Sequence, residues 1–72
     1  MKITYDKEVD AAYIYLIPEN DIVEGMVKKT YTCDTLETGV MINLDFDQNK
    51  KIVGIEVLDA SKVLNLKFLL PS

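Results

Sequence analysis

Asp45, Asp47 and Asn49, with Ile52 and Glu56 behind them, present the one spacing in this chain that resembles a chemical motif. Counted from Asp45, acids or amides fall at positions 1, 3 and 5, an aliphatic at 8 and a glutamate at 12. These are ligand positions of a calcium-binding EF-hand loop, where oxygen donors surround a hard cation. Lys50 stands where that loop needs glycine for its sharp turn, and it brings a positive charge beside the site. The flanks read as strands, whereas an EF-hand needs helices, so a hairpin is the stronger reading. In it Gln48-Asn49-Lys50-Lys51 forms the exposed turn, with Asn49 the residue that tolerates a left-handed backbone. A small metal-binding protein or enzyme using Asp45, Asp47 and Glu56 remains the alternative function.

Other chemistry is thinly supplied. Histidine is absent, which removes the commonest general base and metal ligand. Cys33 is the lone cysteine, so no intramolecular disulfide forms and a cytoplasmic setting is expected. With no histidine to activate it, Cys33 reads as a small, partly buried residue at a strand end. Glu56 falls opposite Val53, Ile55 and Val57 in alternation, which places it on a solvated face. Gly25, Gly39 and Gly54 are too far apart for a phosphate cradle. No catalytic residue and no cofactor is therefore expected.

The elements that would hold these groups are short β runs separated by turn residues. Lys2–Tyr5, Ala11–Ile17, Val23–Cys33, Gly39–Phe46 and Ile52–Leu58 are the expected strands. Pro18 ends the second because it has no N–H for a ladder. Val40, Ile42, Leu44 and Phe46 alternate with Met41, Asn43 and Asp45. The short connections predict an antiparallel meander of about five strands, each pairing with the next. Beyond Leu58 a short helix is expected from around Ala60, with Asp59 or Ser61 as its N-cap. The fold class is then α+β, a single domain over 1–72. Residues 65–72 fit strand and helix spacing alike and stay open between helix, strand and disordered tail.

The second run breaks the rule for a one-sided sheet. Ala12, Ile14 and Leu16 point one way and Ala11, Tyr13, Tyr15 and Ile17 the other, and both sets are apolar. Something must cover each face: the leucine-rich tail, a second copy or another protein. Tyr13, Tyr15, Leu64, Leu66, Phe68 and Leu70 are the interface candidates, and a homodimer is favoured because two-fold assemblies are the commonest.

Composition sets the class. The chain has 72 residues, 49% of them hydrophobic, and 8 lysines against 12 acids, for a net charge of -4 with no arginine. That balance argues against direct nucleic-acid binding, which depends on neutralising phosphates. No run reaches the roughly 18 apolar residues of a membrane span, so no membrane partner is expected. A protein partner of opposite charge, small and basic, fits the acidic surface.

Two segments resemble a known family. Met1-Lys2-Ile3-Thr4-Tyr5-Asp6-Lys7-Glu8-Val9-Asp10-Ala11-Ala12-Tyr13-Ile14-Tyr15-Leu16 is similar to the opening of the small prokaryotic family catalogued as domain of unknown function 2283. Leu44-Asp45-Phe46-Asp47, continuing to Ile52-Val53-Gly54-Ile55-Glu56-Val57-Leu58-Asp59-Ala60-Ser61, is similar to its close. The resemblance runs from Met1 to Ser61, with a generic middle from Glu19 to Thr38, and departs at Lys50, where the family usually carries glycine. It implies a small β-rich domain with a short C-terminal helix and no catalytic residues to carry over. Some members are suspected to be antitoxin-like partners of small neighbouring proteins. The reading as a whole is a non-catalytic binding module that self-associates or covers a partner.

Overall fold

In the computed structural model, which describes residues 2–69 except for the side chains of Leu66 and Phe68, the most apolar strand lies in the middle of the sheet. Five strands are present: β1 (Ile3–Asp6), β2 (Ala11–Tyr15), β3 (Lys29–Thr35), β4 (Val40–Phe46) and β5 (Ile52–Leu58). All pairings are antiparallel and the order is β1-β2-β5-β4-β3. β5 buries Val53, Gly54 and Val57, whereas β3, with its threonines, Lys29 and Asp34, is exposed along nearly its whole length and takes the edge.

This order corrects the expected meander. β3, β4 and β5 follow one another, but β2 pairs with β5 rather than with β3. A strand buried on both sides seeks two neighbours, and β5 meets that need better than β3. The chain must therefore cross the sheet between β2 and β3. The expected third strand, Val23–Cys33, gives up its first six residues to that crossover. Gly25 adopts φ +78 within it, and the Met26 amide turns back to the Val23 carbonyl (3.3 Å).

The expected C-terminal helix is also corrected, and with it the α+β class: the described residues form an antiparallel β-sheet with only single helical turns. Ala60–Lys62 is a single 3-10 turn, and Leu66–Leu69 is one helical turn of four residues. Asp59 makes no side-chain cap and sits at φ +51. The segment is held by long-range contacts instead. The Asp10 carbonyl accepts the Ala60 amide (2.9 Å), and the Asp10 carboxylate accepts the Ser61 amide (3.0 Å), the Ser61 hydroxyl (2.7 Å) and the Tyr5 hydroxyl (2.7 Å). The bond from the Ser61 hydroxyl, then that from Tyr5, holds the Asp10 carboxyl below the ordinary carboxylate range. A depressed folded value means stability that is present above the unfolded value and is lost as the pH falls through the folded one. Acid melting of Asp10→Asn should therefore show a shallower loss of stability below about pH 4 than the parent protein.

Opposed residues share a face, so the register sorts the side chains. One face carries Tyr5, Ala12, Val57, Ile42 and Cys33 in one row, and Ile3, Ile14, Ile55, Leu44 and Tyr31 in the next. The core forms on the first row. Ala12, Val40, Val57, Ala60 and Leu69 are its buried members, with Tyr5, Ile42, Ile55 and Leu64 packed against them. The result is a slab 32 × 31 × 17 Å, one sheet with a short segment laid over one end. No helix among the described residues is long and apolar enough to cross a membrane.

The β4–β5 hairpin places the left-handed residue at Lys50 (φ +65), not at Asn49. The Asp47 carboxylate accepts the Asn49 and Lys51 amides (2.8 and 3.0 Å), which ties the turn together one residue later than expected. A side chain at this φ costs about 1–2 kcal/mol, partly offset by the extra chain entropy of glycine, about 0.5–1 kcal/mol. Lys50→Gly should raise stability by up to about 1 kcal/mol, read as a higher urea midpoint at unchanged slope. An unchanged or lower midpoint would show that Lys50 sits there without strain.

Candidate functional site

The six interface candidates do not share one surface. Leu64 packs against the core cluster on the first face. Leu66 lies in the final helical turn, as does Phe68, while Leu70 lies outside the described residues. Tyr13 and Tyr15 lie on the opposite face, where Tyr13 is paired with Glu56 and Tyr15 with Gly54. The tyrosines and the tail therefore cover different sides of β2.

The first face keeps an unfilled end. Its second row, Tyr31, Leu44, Ile55, Ile14 and Ile3, crosses all five strands. Tyr31 is 55% exposed, and its ring meets Phe46 edge-to-face at 5.6 Å. Leu16 and Ile52, beside this row, are exposed as well. β3 itself is a free edge of seven residues with no proline. Lys28 and Lys29 stand at its start, and Asp34 and Glu37 at or beyond its end.

The second face carries a polar network around one buried carboxylate. Asp45, only 9% exposed, accepts the Tyr13 hydroxyl on Oδ2 (2.6 Å) and the Thr30 hydroxyl on Oδ1 (2.7 Å). Beside it, the Thr32 hydroxyl donates to Asn43 Oδ1 (2.8 Å), and Asn43 Nδ2 donates to Glu56 Oε1 (2.8 Å). Gly54 opposes both Asp45 and Tyr15, and the end of the Tyr13 side chain occupies the space a Cβ on Gly54 would need. Glycine here is a requirement of close approach: only a bare Cα lets Tyr13 cross β5 to reach β4. Tyr13 and Tyr15 lie with ring centroids 4.7 Å apart.

Over these side chains runs the crossover, and between the two is a cavity of about 350 Å³. Tyr13, Tyr15, Asp45 and Val53 form its floor, with Ile22, Val23, Glu24, Met26 and Val27 opposite. The crossover is thus the cover for the second side of β2, a role the sequence reading gave to the tail or to another chain.

Burial, then the bond to Asp45 and the negative charges of Asp45 and Glu56, holds the Tyr13 phenol far above its ordinary value near 10. Tyr5 is raised too, chiefly by its bond to Asp10. A raised folded value means stability that is intact below the unfolded value and is lost as pH climbs toward the folded one. In an alkaline absorbance titration of the folded protein, two of the four tyrosines should ionise late, and Tyr13→Phe should remove the later of them. Four tyrosines ionising together near pH 10 would contradict the network.

Asp45, Asp47 and Glu56 do not converge. Asp45 is engaged with two hydroxyls, Asp47 closes the hairpin turn and Glu56 accepts from Asn43. Among the described residues no three His, Cys, Asp or Glu side chains group as a metal site. Cys33 is exposed in mid-strand on the β3 edge rather than partly buried at a strand end. Sequence reasoning missed Thr30, Gly54 and the crossover apolar residues. Gly54, alone among β-branched neighbours, was the available signal for a close approach.

The model of a family described as Protein of unknown function (DUF2283) matches residues 2–61. An uncharacterized protein of Methanocaldococcus jannaschii is 40% identical over 67 residues, covering 92% of this chain and 47% of the relative. The chain thus spans about half the length of the curated relative it matches. No solved structure matches it significantly.

Proposed function

The chain belongs to the family described as Protein of unknown function (DUF2283), and from that premise we propose that it is a non-catalytic binding module that pairs with a second copy of itself along β3. The observation that carries this reading is the Tyr31 end of the sheet. A sheet needs a second layer over its apolar face, and the segment from Ala60 to Leu69 covers only one end. The row ending in Tyr31 runs out to a free edge whose backbone groups lack the covering proline, bulge or central charge that blunts such edges. The other edge, β1, has only four residues.

A second copy suits that edge. Lysines lead into β3 and acids follow it, so an antiparallel pairing sets each basic end near the partner's acidic end. Two-fold pairing also lengthens the apolar row across both sheets.

Light scattering on the purified protein tests the reading. The expected mass is twice the 8.2 kDa of the chain, falling to that of one chain for Tyr31→Lys, a change on the exposed side chain that leaves the core untouched. One-chain mass for the parent protein up to about 100 μM would overturn it. So would a one-chain protein that binds a co-expressed small basic protein through the same edge.

A further inference from the structure

The cavity under the crossover holds a carboxylate that has no ion-pair partner among the described residues. Asp45 is nine-tenths buried, and buried charges are ordinarily paired with a cation. Two hydroxyl bonds fill part of a carboxylate's capacity of about four acceptor sites but cancel none of its charge. No lysine lines the cavity; its other carboxylate is Glu24, of the same sign. Lys2, which lies over Tyr15, is engaged with Glu19. Its ammonium lies 5.5 Å from the centre of the Tyr15 ring and pairs with Glu19 at 3.7 Å, the only ion pair among the described residues.

The walls suit what the carboxylate lacks. Tyrosine ring faces attract cations, and Val23 and Met26 supply an apolar lining for a short hydrocarbon body. About 350 Å³ is within the range of small-molecule sites. We infer that this cavity binds an organic cation, an alkylammonium or alkylguanidinium group, with its charge against Asp45 and its chain against Val23 and Met26. The inference does not depend on association through β3: Thr30 of that strand donates to Asp45, but no β3 residue lines the cavity. The same group could arrive on a free amine or on a lysine or arginine side chain of a partner, and the two sources are separable.

The experiment is calorimetric titration with butylammonium and butylguanidinium chloride, with 1-butanol as the uncharged control. Amide chemical shifts would be followed in parallel. The expected result is saturable binding of at least one cation, with 1-butanol at least about tenfold weaker. Shifts should be confined to the crossover from Ile22 to Val27 and to the neighbourhood of Asp45. Asp45→Asn should bring the cations and the alcohol to similar affinity. Should that variant fail to fold, Val23→Trp serves instead, filling the cavity from an exposed loop position and abolishing binding with the Tyr13–Asp45 bond intact. Capped lysine and capped arginine complete the set. Tighter binding by these points to a partner's side chain, and tighter binding by the free alkyl cations points to a small molecule. No saturable binding up to about 10 mM, 1-butanol binding as tightly as the cations, or shifts on the other sheet face would each overturn the inference.

Discussion

Leu69→Ala should be the most damaging single substitution in this chain, lowering stability by about 2–5 kcal/mol. Leu69 is 4% exposed and is the largest side chain buried in the core cluster, whose other buried members are two alanines and two valines. Removing it leaves a cavity under the C-terminal segment that covers the first face of the sheet. A domain this small has little reserve, so the variant should be partly unfolded near physiological temperature. Leu36→Ala, at a residue 90% exposed, is the control and should stay within about 0.5 kcal/mol of the parent. Urea melts of both would check this. Equal midpoints for the two variants would show that the C-terminal turn is not docked on the sheet.

Gly54→Ala should be the next largest loss, and its sign is the informative part. Inside a strand, replacing glycine by alanine ordinarily gains about 0.5–1 kcal/mol through reduced chain entropy. Here the added methyl meets the ring and hydroxyl of Tyr13. Tyr13 can swing away, but Asp45 then keeps only Thr30 as a donor while remaining buried. Loss of a partner at a buried charged group costs about 1–3 kcal/mol, which exceeds the entropic gain. Tyr13→Phe removes the same bond, so the double variant should lose less than the sum of the two, with coupling of about 0.5–3 kcal/mol. In Gly54→Ala the late tyrosine should also ionise nearer its ordinary value. A stabilised Gly54→Ala would contradict the close approach altogether.

Individual strands were legible because alternation is local. Val40, Ile42 and Leu44 against Met41, Asn43 and Asp45 declare a half-buried strand, and β4 and β5 lie where that pattern places them. Strand order was not legible. β2 is apolar on both sides, which says that it is covered twice but not by what. Val23–Lys28 alternates like a strand, and only the need to pass β5 and β4 makes it a crossover. The helix expected from Ala60 failed because its turns are fixed by Asp10, fifty residues earlier in the chain, rather than by a local cap. The site was hidden for the same reason. Tyr13 and Asp45 are 32 residues apart and meet across a strand that lies between them only in the observed order.

Glu56 shows how far alternation carries. Its face was read correctly, opposite Ile55 and Val57, yet that face is neither plain solvent nor a metal site. It belongs to a ladder running from Thr32 through Asn43 to Glu56, beside the buried Asp45. A polar side chain's face can be read from spacing, whereas its partners depend on the register between strands.

Pairing through β3 is the central claim, and amide hydrogen exchange measured strand by strand across a range of protein concentrations tests it most directly. The account predicts that amides of Lys29–Thr35 become more protected as concentration rises, while those of the other edge, Ile3–Asp6, do not change. Amides of β3 that exchange at one rate at every concentration, in step with those of β1, would contradict it.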